Sequence, residues 1–60
     1  MELTDELKTL FVETAKVLKS SERRMFMARV VKTLGKGGQR RAEKELGWNR
    51  RTIRKGTHEL

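Results

Sequence analysis

The sequence predicts an all-α fold: a small orthogonal bundle of about four helices, with the last two forming a C-terminal helix-turn-helix. Three observations lead there. Apolar residues recur at spacings of three and four along most of the chain. Val, Ile and aromatic residues are too scattered to line strands. Glycine and short polar residues interrupt the helical pattern at only a few points, with no proline anywhere. Sixty residues allow a single domain, 1–60, with a small core and marginal stability. With no cysteine, neither disulfides nor thiolate metal sites supplement that core.

The first helix is expected over residues 4–19. Thr4 can cap it by accepting an unpaired amide of the first turn. Asp5 and Glu6 then sit at the positive end of the helix dipole. Leu3, Leu7, Leu10, Phe11, Thr14 and Leu18 share one face. Ser20 and Ser21 are expected to end this helix and cap the next, over 22–34. There Phe26, Val30 and Leu34 form the apolar stripe, with Met27 and Val31 beside it, and Arg23, Arg24, Arg29 and Lys32 cover the rest. Gly35 is a natural terminator, and Gly35-Lys36-Gly37-Gly38 reads as the one true loop.

A short third helix follows over 39–46, a tight turn at Gly47, and a fourth helix over 50–59 capped by Asn49. Its inner positions are Ile53, Gly56 and Leu60. Residues 39–55, QRRAEKELGWNRRTIRK, carry the helix-turn-helix grammar. Ala42 is small where two helices should cross. Leu46 follows one turn later, and Gly47 relieves the backbone at the turn. Trp48 and Ile53 should pin the second helix onto the first.

Charge points to a partner. The chain carries a net +7, unevenly spread. Residues 1–22 hold five acids and three lysines, a net of −2; residues 23–60 hold twelve bases and three acids, a net of +9. Such asymmetry suits a polyanion, although a basic face can also serve only solubility. Arg50, Arg51, Thr52, Arg54 and Lys55 start the fourth helix, where a recognition helix meets the major groove. Arginine forks match guanine edges and phosphates. Asn49 belongs to the same end. Gln39 and Arg40, opening the third helix, and Lys36 in the glycine loop are expected to meet phosphate. The competing reading of this segment is a helical hairpin with a solvated basic face.

Other functions find less support. The glycine loop lacks P-loop spacing and a preceding strand. His58 stands alone, so no metal site is expected around it. The only aspartate is Asp5, far from any carboxylate cluster that could hold catalytic metals. Phe11, Phe26 and Trp48 have the spacing of core residues rather than base-stacking platforms. The expectation is a non-enzymatic protein without cofactor or small-molecule substrate. No apolar run is long enough to span a membrane, and the acidic, polar first residues are wrong for a signal peptide. An intracellular, nucleoid-associated location follows. A homodimer through the first two helices is a further expectation.

The run SERRMFMARVVKTLGKGGQRRAEKELGWNRRTIRKGTHEL, with LKTLFVETAKVLKSSERR before it, resembles the N-terminal region of bacterial DDE transposases of the ISAzo type, encoded by insertion sequences. The resemblance spans nearly the whole chain, and GGQRRAEKELGW and NRRTIRKGTHEL are its most specific stretches. It implies recognition of transposon ends by a segment that would precede an RNase H-like catalytic domain. An excised domain or the short gene of a decayed element would fit. A small transcription regulator with the same motif, or a helical protein-interaction module, are the alternatives.

Two positions depart from the general helix-turn-helix pattern. Glu43 follows Ala42 where many such motifs carry a second small residue. Gly56 stands where a bulky apolar residue is usual, and glycine inside a helix costs about 1 kcal/mol relative to alanine. An unusual crossing, or a loosely packed fourth helix fraying after Lys55, is the expectation.

Overall fold

Thr4 starts the first helix as its composition requires. Its backbone is extended, its hydroxyl accepts the Leu7 amide at 3.2 Å, and its carbonyl accepts the Lys8 amide at 2.9 Å. In the computed structural model, which describes residues 2–59, helix α1 then runs Asp5–Val17. Leu60, expected on the inner face of the last helix, lies outside the described residues.

The packed face of α1 is narrower than its apolar stripe. Leu3 and Ala15 are buried, and Leu7, Phe11 and Val12 pack beside them. Leu3, Leu7, Phe11 and Ala15 are four residues apart, a single ridge laid into the neighbouring surface. Leu10 is 56% exposed and so falls outside the core it was expected to join. The reason lies in the packing: α1 lies on α2 and on the turn that follows α3, and one ridge covers that contact.

The first corner also differs from expectation. Helix α1 ends at Val17, and Leu18 and Lys19 are both extended. Two consecutive extended residues redirect the chain without help from serine. Ser20 and Ser21 are already inside α2 (Ser20–Leu34), which Lys19 precedes with no side-chain cap. Within α2 the buried residues are Met27, Ala28, Val30 and Leu34. Phe26 and Val31 are only half-buried, so the stripe is turned toward Met27 and Ala28 relative to the expected one.

That turn of the stripe follows from where α4 (Arg50–Glu59) sits. The most extensive helix pairing is α2 with α4, and the crossing is at Gly56. A Cβ at Gly56 would run into the Arg24 carbonyl, and would stand 3.2 Å from the Ala28 Cβ. Only glycine permits that approach of backbone to backbone. The expectation of a loosely packed helix end is therefore overturned. Gly56 is buried, Ile53 is 1% exposed, α4 is helical to Glu59, and Arg24 Nε donates to Glu59 Oε1 at 2.6 Å. Glycine's poor helix propensity is offset by the approach it allows.

Between these helices lies α3 (Gly38–Arg41), which continues as a π-helical turn over Ala42–Leu46. Gly38, expected in the loop, is the first residue of α3 and is buried. The Ala42 carbonyl accepts the Gly47 amide and, at 3.3 Å, the Trp48 amide. Gly47 reverses the chain at φ 70°, in the left-handed region that glycine enters without strain. Ala42 is fully buried and Leu46 nearly so. The close crossing expected at Ala42, between α3 and α4, is instead the α2–α4 crossing at Gly56; α3 and α4 make few direct contacts.

An aromatic row closes the remaining side. Phe11 meets Phe26 edge-on at 6.3 Å, and Phe26 meets Trp48 edge-on at 6.2 Å. All three pack against the core, the arrangement their quadrupoles favour. The molecule measures 26 × 25 × 16 Å, so each helix has one face inward and one in solvent. Among the described residues, no helix is long and apolar enough to cross a membrane.

Candidate nucleic-acid interface

Asn49 sets the start of α4. Its side-chain oxygen accepts the Arg51 amide at 2.7 Å and its carbonyl accepts the Ile53 amide at 3.1 Å. This cap fixes the rotational phase of every residue that follows. With about 100° between successive residues, Ile53 and Gly56 face inward together. Arg51 and Arg54 then form the outer crest. Arg50 lies on one shoulder, and Lys55 and Thr52 on the other. Exposure agrees with this phase: Arg50, Arg51, Arg54 and Lys55 are exposed, and Thr52 is half-buried.

Three shallow grooves surround this crest. Asn49, Arg50, Arg51 and Arg54 line the first, at the tip of α4. The second lies toward α3 and is lined by Arg40, Glu43, Lys44 and Arg50. The third lies toward the start of α2, between Ser20, Arg23, Arg24, Arg51, Thr52 and Lys55. Lysine and arginine dominate all three.

Acids decide which of these cations remain available. Arg50 donates to Glu43 at 3.5 Å, Arg24 to Glu59, and Arg41 to Glu45 at 3.3 Å. Among the described residues, Arg51, Arg54 and Lys55 form no ion pair. Glu43, the departure noted above, thus has a use: it reaches across the turn to hold the first arginine of α4. Glu45 binds both Lys8 at 3.3 Å and Arg41. The hydrogen bond from Lys8, followed by that from Arg41, holds its carboxyl below the ordinary range. This ties α1 to the π-helical turn.

Compared with known proteins, the chain matches no family model, no curated sequence and no solved structure.

The surface itself therefore has to carry the functional argument. Of the residues singled out from sequence, Asn49, Arg50, Arg51, Thr52, Arg54 and Lys55 come together on α4, and Arg40 joins Arg50 in one groove. Lys36 is exposed in the turn before α3 and lines none of these three grooves. Gln39 is half-buried in the first turn of α3. The amide opening that helix, from Gly38, is taken up by the Gly35 carbonyl at 2.9 Å. Arg23 and Lys44 were not singled out, yet they stand beside the α4 cations. Lys44 was legible from its place one turn after Arg40. Nothing in the sequence links Arg23 to Arg51; only the α2–α4 crossing does. Among the described residues, no three His, Cys, Asp or Glu side chains converge as a metal site would require.

Proposed function

We propose that this chain binds double-stranded DNA, with α4 as the helix that enters the major groove. One observation carries the reading: the solvent face of a short, capped helix presents Arg51 and Arg54 on its crest and Lys55 on its shoulder, with no ion pair to any of them among the described residues, while its inner face is locked by Ile53 and Gly56. A rigid helix with unpaired guanidinium groups suits bidentate reading of guanine. Arg40 and Lys36 would meet phosphate, and Gln39 is the weakest member of the set because it is half-buried. Asn49 contributes by holding the helix in phase.

The specific site we propose is the end of an insertion sequence, as the transposase resemblance implies. The chain would act there as a recognition segment without catalysis, cofactor or small-molecule substrate of its own, in the cytoplasm on nucleoid DNA. A contact with a second copy is favoured by α1, where Leu10 is 56% and Val17 80% exposed.

The test is selection from a random duplex pool, followed by titration of the selected and a scrambled duplex at two salt concentrations. Affinity should fall steeply with salt. Arg51→Ala or Arg54→Ala should remove about 1–3 kcal/mol of discrimination between the two duplexes. Lys36→Ala and Arg40→Ala should weaken both about equally. Absence of a selected sequence, or discrimination lost through Lys36 and Arg40 instead, would overturn α4 as the reading helix. Protection of an insertion-sequence terminus rather than a promoter would separate transposon-end recognition from transcriptional control.

A further inference from the structure

α4 is flanked by cations on both sides, and only one side was expected. Toward α3 stand Arg40 and Lys44, near Arg50. Toward α2 stands Arg23, which lines one groove with Arg51 and Lys55 and with Ser20 and Thr52. Arg23 is exposed and, among the described residues, forms no ion pair. Its neighbour Arg24 is held by Glu59, which leaves Arg23 as the unpaired guanidinium of that side.

The two flanks have a geometric meaning if α4 enters a major groove. That groove is about 12 Å wide and bounded by two sugar-phosphate strands. A helix seated in it has one strand along each shoulder. The Arg50 shoulder faces α3, and the Lys55 and Thr52 shoulder faces the start of α2. Each shoulder therefore needs its own phosphate contacts to hold the crest centred.

We infer that Arg23, together with Ser20 and Lys55, forms a second phosphate clamp that grips the DNA strand opposite the one held by Arg40 and Lys44. The inference rests on the DNA-binding reading above and adds to it a site from a helix outside the helix-turn-helix. Phosphate contacts position a protein and carry no sequence information, so Arg23 acts on affinity and register.

The experiment uses the whole chain, the selected duplex and a scrambled duplex of the same length. Arg23→Ala should weaken both duplexes by about tenfold, the size of one charge-assisted hydrogen bond, and lower the salt slope by about 0.9. Arg23→Lys should restore the slope. Arg29→Ala, an exposed cation on the same helix that lines none of the three grooves, should change neither. Phosphate ethylation interference on the selected duplex should lose sites on one strand with Arg23→Ala and on the other with Arg40→Ala. Thermal melts confirm that each variant is folded. If the parent chain binds no duplex at low salt, both the clamp and the DNA-binding reading fall. If it binds and Arg23→Ala binds equally well, or both variants lose sites on the same strand, the clamp alone falls.

Discussion

Helices α1 and α4 both rest on α2, but they hold to it by opposite means. α1 uses side chains: a ridge of Leu3, Leu7, Phe11 and Ala15. α4 uses its backbone, with a glycine against the Arg24 carbonyl and one large fully buried side chain, Ile53. Their charges differ in the same way. On α1, Lys8 bonds Asp5 and Glu45, and Lys16 bonds Glu13. On α4, Arg51, Arg54 and Lys55 form no ion pair among the described residues. A helix that docks through glycine needs few apolar residues, so nearly its whole circumference can carry charge. α1 pairs its charges within the fold, while α4 holds most of its own out in solvent.

The largest effect expected from this contrast is at Ile53. Truncating a fully buried isoleucine costs about 2–5 kcal/mol, and a core this small supplies only about 3–5 kcal/mol in all. Ile53→Ala should abolish the cooperative thermal transition seen by circular dichroism. Leu10→Ala, at an exposed site on α1, should leave it within about 0.5 kcal/mol. Equal effects at the two positions would erase the distinction between the helices.

Gly56→Ala comes next and tests the backbone contact directly. On an isolated helix, alanine would gain about 1 kcal/mol. Here its methyl group meets a backbone carbonyl that cannot rotate away. Overpacking of that kind costs about 1–3 kcal/mol, so the melting temperature should fall. A rise would mean that the crossing is looser than described and that α4 docks through Ile53 alone.

The smallest effect concerns the tie between α1 and the π-helical turn. The folded-state carboxyl of Glu45 titrates below its unfolded value, mainly through Lys8. Its contribution is therefore present above the unfolded pKa and is lost as pH falls through the folded one. Glu45→Gln should lower stability slightly at neutral pH, flatten the acid limb of a stability-versus-pH curve below about pH 5, and leave the most acid end unchanged. The pair is partly exposed, so the change should be slight. An unaltered acid limb would show that α1 is held by its apolar ridge alone.

Much of this was legible in local chemistry. Thr4 and Asn49 act as caps because a side-chain oxygen two or three residues upstream can reach an unpaired amide, which is settled within one turn. Gly35 and Gly47 end their helices for an equally local reason. Range 50–59 for the last helix, the cationic crest on it and the core placement of Phe11, Phe26 and Trp48 follow from periodicity. The errors share a different origin. Leu10 lies on the apolar side of α1, yet how much of that side is covered depends on the width of what it meets. Ser20 has the chemistry of a cap, but the corner was made by two extended residues before it.

Sequence by itself determined the number of helices, the capped starts at Thr4 and Asn49, the glycine stops at Gly35 and Gly47 and the uneven charge, because caps, turns and helical phase act over three or four residues. Tertiary structure decided which faces meet. Gly56 reads as a defect until the Arg24 carbonyl is placed against it, and Glu43 as an anomaly until Arg50 is brought within reach. Arg23 joins the surface of α4 only through that same crossing. Contacts between residues far apart in the chain depend on the packing of whole helices, and no local pattern encodes them.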